Sequence, residues 1–256
     1  ELFKPEEYWT LTSSFINIEN KNIFSKLSLF NAEKVERFTF KSKDEINKAI
    51  EVINKSKFKV KDVNSKVFRR NPLGPFTTST LQQTASGRFG FGASRTMQIA
   101  QRLYQGIEIE GETTGLITYM RTDGTNISKE AITDFRRLIE KDFGKNFIRE
   151  SPNNFAGKKA KNAQEAHEAI RPTNITRKPD DIKKYVNSDQ YKLYDLIWSR
   201  ALSSQMCPAE FDRNTILISS EDNKINFRAS GSIMKFEGFL KVYKVQEGDE
   251  DSKNIL

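Results

Sequence analysis

Residues 75–104 read PFTTSTLQQTASGRFGFGASRTMQIAQRLY, and this stretch decides the fold expectation. Residues 78–89 form one helix, Gly90 and Gly92 break it, and Ser94 is placed to cap a second helix running to about Tyr104, where Gly106 stops it. Met97, Ala100, Leu103 and Tyr104 make the second helix's apolar stripe. Arg88, Arg95 and Arg102 decorate the pair. Such a unit presses against a DNA backbone or is an ordinary helical hairpin, and the pattern alone leaves both open. Upstream, NPLGP (71–75) is a strong breaker. Before it lie candidate strands at 8–18, 23–30 and 35–40, a helix over 43–57 with Ile46, Ala49, Ile50 and Ile53 at helical spacing, and an alternating strand at 58–63. Downstream, 115–119 (GLITY) reads as a short strand. Ser128 caps a helix carrying Ile132, Phe135, Leu138 and Ile139, which Gly144 ends. A basic loop follows at 151–163, then a short helix at 164–170 ended by Pro172 and a longer one over 189–205 with Leu193, Leu196, Ile197 and Ala201 inward. After Cys207-Pro208, FDRNTILIS, KINFRAS and GFLKVYK return to strand patterning. The expectation is an α+β protein. A β-rich domain is built from 1–74 and a return segment at 208–256 that includes an acidic tail, and a mainly helical domain, 75–207, is inserted into it.

Composition narrows the function. The chain has 256 residues, 36% hydrophobic and 30% charged, with 42 Lys+Arg against 34 Asp+Glu and a net charge of +8. A basic surface of this size points first to a polyanion, nucleic acid foremost. One Cys and one His exclude an intrachain disulfide and a Cys/His zinc site, and any hydrolytic triad would need His167 as its base. No stretch reaches the roughly 18 consecutive apolar residues of a membrane helix, and no signal peptide is visible. The first residue is Glu1, not Met, so the chain is expected to be a piece of a longer protein. Two Gly pairs, Gly87/Gly92 and Gly106/Gly111, mimic a phosphate loop, but Ala93 and Glu112 stand where its Lys is required.

The segment LITYMRTDGTNIS (116–128) carries more chemistry. Side chains two apart on an extended chain share a face, so Tyr119, Arg121 and Asp123 converge if the extension persists. Free tyrosine has a pKa of about 10 and is a poor nucleophile at neutral pH. A guanidinium beside it favours the phenolate and matches phosphate oxygens with a planar fork. In QEAHEAIRP (164–172), Gln164, His167, Glu168 and Arg171 would line one side of a helix, with Arg171 and His167 able to share a phosphate. A packing role for the lone His is the competing reading.

Taken in order, 75–104, LITYMRTDGTNIS and QEAHEAIRP resemble the central part of a type IA DNA topoisomerase of the bacterial kind, over about Pro5 to Tyr243. The resemblance implies a toroidal fold, of which this chain supplies the strap and the helical gate domain. The residue matching Tyr119 attacks a backbone phosphate of single-stranded DNA, forming a 5′-phosphotyrosyl link and releasing a 3′-OH. A strand passes, the break reseals without ATP, and negatively supercoiled DNA relaxes. The residue matching Arg121 supports the scissile phosphate. The one matching His167 helps hold the strand, with Asp123, Arg171, Arg88 and Arg95 as further DNA-contact candidates. Family enzymes begin with a Toprim domain whose acidic cluster binds Mg²⁺, and no Asp-x-Asp pair in a strand–turn–helix setting occurs here. The resemblance implies Mg²⁺ in the full-length enzyme and no metal site in this chain, with relaxation activity absent from the chain alone. It further implies a monomer and a cytoplasmic, nucleoid-associated location without membrane contact. The segment IEIEGETTG (107–115) reads as an insertion. A non-catalytic helix–turn–helix module, a tyrosine recombinase and an interaction module remain as alternatives.

Overall fold

The computed structural model describes residues 6–155 and 168–245. In chain order its elements are β1 (Thr12–Ile16), β2 (Asn22–Phe30), β3 (Glu33–Lys34), α1 (Lys43–Lys55), β4 (Phe58–Arg70), α2 (Thr78–Phe89), α3 (Ala93–Gln105), β5 (Ile107–Ile109) and β6 (Glu112–Thr114). They continue with α4 (Lys129–Phe143), α5 (Pro179–Ile182), α6 (Ser188–Ser204), β7 (Ala209–Ser220) and β8 (Asn226–Phe236), with 3₁₀ turns at Lys145–Phe147 and Gly238–Lys241. The chain divides into two compact units, Glu1–Phe68 with Phe211–Lys235 and Arg69–Glu210 with Phe236–Leu256.

The first unit is a sheet in the order β1-β2-β8-β7-β4, with β3 on β2. β1 and β2 pair antiparallel from Thr12↔Lys26 to Ile16↔Asn22. Their turn is organised by the Asn17 side-chain oxygen, which accepts from the backbone N–H groups of Glu19 and Lys21. β2 pairs with β8 through a register shift between Leu27 and Leu29. Helix α1 starts at Ser42, whose hydroxyl accepts from Glu45 N at 3.3 Å, while Glu45 reaches back to Lys41 N at 2.8 Å. Its Ile46, Ala49 and Ile53 enter the core with Leu27, Phe40, Ile218, Ile225 and Phe227. Ile50 stays exposed, so the buried stripe is narrower than the sequence spacing predicts. Phe15, Phe58 and Phe227 meet edge to face at 5.2–5.5 Å, each pair contributing about 0.5–1.5 kcal/mol beyond simple burial.

Two expectations in this unit need correcting. Residues 35–40 are not a strand. Thr39 Oγ1 accepts from Glu36 N at 2.7 Å, and this side-chain-closed turn takes the place of a ladder, leaving Phe40 to bridge Trp9. The strand expected at 58–63 runs on to Arg70, and its side chains are exposed from Lys59 to Arg69.

The second unit packs α3 against α2 and α6, and α5 against α6. Helix α2 begins with a reciprocal cap between Thr77 and Thr80 and ends at Gly90 in the left-handed region (φ 68°). Helix α3 is capped by Gly92 rather than by Ser94 as expected, with Thr96 N and Oγ1 both donating to Gly92 O. The inward residues of α3 are Thr96, Ile99, Ala100 and Leu103; Met97 is half-buried and Tyr104 is exposed, so the buried face lies rotated from the predicted stripe. Ser128 caps α4 and Gly144 ends it, with Phe135, Leu138 and Ile139 buried. The 107–115 insertion is a two-stranded hairpin, β5 on β6, whose tight turn places Glu110 and Gly111 at positive φ (55° and 88°). GFLKVYK is not a strand. It forms the 3₁₀ turn Gly238–Lys241, because Phe239 and Tyr243 sink into this unit's core and Arg200 stacks on Tyr243 with its Nη1 3.2 Å from the phenol oxygen. Residues 236–245 therefore join the helical unit, not the β-rich return segment to which the patterning assigned them. The basic loop beyond 155 and the acidic tail lie outside the described residues.

Candidate active site

Segment 115–128 is extended but ladder-free, with one bridge at Ile117↔Pro172 in place of the short strand expected at 115–119. It is fixed from three directions. Leu116 N donates to Leu103 O at 2.8 Å at the end of α3. Thr118 N donates to Arg171 O at 2.9 Å, Thr118 Oγ1 to Ala169 O at 2.9 Å, and Thr173 N to Leu116 O at 3.0 Å. At the start of α2, Thr78 N donates to Thr122 O at 2.8 Å, while Thr78 Oγ1 donates to Met120 O at 2.7 Å and accepts from Thr122 N at 2.8 Å. Gly115 lets the segment approach α3 this closely: a Cβ there would lie 2.8 Å from Tyr104 O.

The consequence is an alternation of faces. Met120, Thr122 and Gly124 are buried, and Tyr119, Arg121 and Asp123 are exposed. The three side chains expected to share a face are thus all exposed, with a bend at Met120 between Tyr119 and Arg121 and no β-ladder. Tyr119 meets the Tyr104 ring edge-on at 5.5 Å. Beside it a groove of about 560 Å³ runs along α3, lined by Ser94, Met97, Gln98, Gln101, Arg102 and Arg121. This polar, cationic channel is only partly legible in the sequence. Arg102 stands out there, but the glutamines at i and i+3 carry no signal, and Tyr104 is expected in the core. Thr78, the α2 hydroxyl that grips the strand, is likewise hidden; its one signal is the TTST run, which reads only as helix.

The helix predicted for 164–170 is not present over 168–170. Glu168 to Ile170 are extended, and Ile170 N donates to Phe76 O at 2.8 Å, because Ala169 and Ile170 are fully buried between two backbone segments. Gln164 and His167 lie outside the described residues. The pairing of Glu168 with Arg171 survives without a helix: Arg171 Nη2 meets Glu168 Oε2 at 2.7 Å, and Nη1 donates to Pro172 O at 3.0 Å. Glu168 Oε1 also accepts from Ser128 N, so the two side chains brace the start of α4. Arg171 is mostly buried, with 14% of its side chain exposed, which makes it a brace beneath the face bearing Tyr119. Arg88 donates to Lys244 O at 2.8 Å and lies over the Tyr243 ring. Arg95 pairs with Asp189 at the start of α6 and lies over Phe91. Both arginines thus make internal contacts. Cys207, at the end of the α6 segment, is half-buried, and burial pushes its thiol up from the ordinary value, away from nucleophilic duty.

Among the described residues no three His, Cys, Asp or Glu side chains gather where they could hold a metal ion, and no helix is long and apolar enough to cross a membrane.

The family described as DNA topoisomerase matches residues 1–256. DNA topoisomerase 1 of Rickettsia typhi is 44% identical over 254 residues, covering 99% of this chain and 32% of the relative. That of Rickettsia prowazekii is also 44% identical over 254 residues, covering 99% of the chain and 33% of the relative. The solved structure of full-length topoisomerase I from Thermotoga maritima superposes with a TM-score of 0.76 at 33% identity, over 96% of this chain and 37% of that one. The chain thus spans about a third of the length of the curated relatives it matches. These matches give no support to a non-catalytic helix–turn–helix module. Matched from end to end by the DNA topoisomerase family and alike in fold to a solved topoisomerase I, the chain belongs to the type IA DNA topoisomerase family.

Proposed function

We propose that this chain carries the strand-cleaving face of a topoisomerase that relaxes negatively supercoiled DNA one strand at a time. The observation that carries the reading is the exposed row Tyr119–Arg121–Asp123 beside the α3 groove. A single DNA strand lies along that groove with Arg102 and Arg121 against its phosphates. The Tyr119 oxygen loses its proton and attacks phosphorus. The new O–P bond replaces the bond to the departing 3′ oxygen, which takes up a proton, so a 5′-phosphotyrosyl ester and a 3′-OH result. Arg121 opposes the charge that gathers on the phosphate oxygens at the crowded transition state, where its bidentate fork is worth more than in the ground state. After another strand has passed, the 3′-OH attacks the ester and releases Tyr119. Phosphodiester energy is stored in the ester, so ATP has no part. His167 and Asp123 hold the strand, and the enzyme works as a monomer in the cytoplasm, on the nucleoid.

Mg²⁺, which the family implies, would supply charge neutralisation on DNA, but the described residues do not fit it. The test is adduct trapping. In the complete enzyme, denaturant quenching with end-labelled single-stranded DNA should give a covalent 5′-linked species that Tyr119→Phe abolishes while DNA binding and melting temperature hold. A variant that still forms the adduct, or a 3′ linkage, removes Tyr119 from its role.

A further inference from the structure

A second groove, on the opposite flank of α4 from its buried stripe, lies between that helix and residues 145–152 and encloses about 660 Å³. It shares no lining residue with the groove beside Tyr119. Five cations line it, Lys129, Arg136, Arg137, Lys145 and Arg149, against the carboxylates of Glu140 and Glu150. Helical spacing puts Lys129, Arg136 and Arg137 in one row, and the turn at 145–147 brings up the other two.

This charge is poorly neutralised within the protein. Arg137 reaches Asp134 only at 3.5 Å, with both side chains more than half exposed, a geometry worth little in water. No ion pair to Lys129, Arg136, Lys145 or Arg149 is present among the described residues. Arg136 is the most informative. Its Nη2 donates to Arg149 O at 2.7 Å and so fixes the groove wall, while its Nη1 is buried and finds no acceptor among the described residues. A buried guanidinium nitrogen left unpaired is costly, and the uncompensated charge of Arg136 adds to the positive potential of the groove it lines. Half-buried Ile132 and Ile148 line the same groove, and excluding water there strengthens each charge–phosphate contact.

We propose that this groove is a second DNA-binding site, for the phosphodiester backbone of a single strand, separate from the strand cleaved at Tyr119. The proposal rests on the topoisomerase reading above for its choice of polyanion.

The test uses the complete enzyme carrying Lys129→Ala, Arg137→Ala, Lys145→Ala and Arg149→Ala together. All four side chains are exposed, and melting temperature checks that the fold is kept. If the quadruple variant does not fold, the Arg137→Ala/Lys145→Ala pair replaces it. Binding to a long single-stranded oligonucleotide is titrated against salt. Each phosphate that is no longer neutralised lowers the log–log slope by about 0.7, so the quadruple variant should lose about 2–3. Cleavage of an oligonucleotide just long enough to fill the Tyr119 groove should stay at the wild-type rate. An unchanged slope with normal cleavage overturns the second site and leaves the topoisomerase reading standing. A loss seen only with blunt duplex overturns the single-strand assignment. A wild-type enzyme that binds no DNA takes down both readings.

Discussion

Thr78→Val tests the idea that α2 aims the cleavage strand. Valine keeps the shape and the backbone N–H that donates to Thr122 O, and removes only the hydroxyl that donates to Met120 O and accepts from Thr122 N. Met120 and Thr122 are 1% and 7% exposed, so water does not easily replace these bonds. Removing one partner from buried polar groups costs about 1–3 kcal/mol. At about 2–4 °C per kcal/mol for a unit of this size, the melting temperature should fall by about 2–12 °C. The larger effect should be on chemistry. Tyr119 and Arg121 are the residues on either side of gripped Met120, and a displacement near 1 Å costs about 100-fold in rate. The assays are calorimetric melting and single-turnover cleavage of an oligonucleotide by the complete enzyme, with Thr78→Ser as the control that restores the hydroxyl. A Thr78→Val enzyme that loses stability but cleaves at the wild-type rate would refute the aiming role and leave Thr78 as a mere packing residue.

Three further outcomes are expected. Arg121→Ala should lower cleavage by about 10²–10³, with Lys recovering only part of it because a point charge lacks the fork; equal recovery by Lys would argue against bidentate phosphate contact. His167→Ala should weaken cleavage without lowering the melting temperature, whereas a packing role predicts the reverse pattern. Burial raises the Asp195 carboxyl above its ordinary value, so the folded state holds that proton more tightly than the unfolded state. Its contribution to stability is thus fully present only below the unfolded carboxylate range and is lost as pH rises through the raised value; Asp195→Asn should stabilise the protein at pH 7 and bring no gain under acid, as read by melting against pH.

The parts legible in the sequence are those where one local rule dominates. Ser128 caps its helix and Gly90, Gly106 and Gly144 end theirs as the sequence predicts, because capping needs only neighbours in sequence; Ser94 fails as a cap because the helix already starts at Ala93, with Gly92 in its place. The row Tyr119–Arg121–Asp123 is legible for the same reason, since alternation follows from an extended backbone alone. The misreadings share the opposite cause. Residues 168–170 have helical composition, yet Phe76 O and Asn126 O supply long-range hydrogen-bond partners that hold them extended. GFLKVYK alternates like a strand, yet Phe239 and Tyr243 are claimed by the core around Arg200. Thr78 could not be singled out, because its hydroxyl acts on residues 42 and 44 positions away.

The pairing of β2 with β8 has a consequence for biosynthesis. Ser28 bonds to Asn226, 198 residues later, so β2 has its β8 neighbour delivered only after the whole helical unit has been translated. At about 5–20 residues per second, β2 waits roughly 10–40 s. During that interval the nascent sheet has an unpaired edge, and Leu27 and Phe15 lack Phe227. Meanwhile the second unit, nearly contiguous from Arg69 to Glu210, gathers most of its core from local helices as they emerge. The order of synthesis therefore favours completing the unit that bears Tyr119 before the β-rich unit can close, and the β1–β2 hairpin is the segment most in need of chaperone cover.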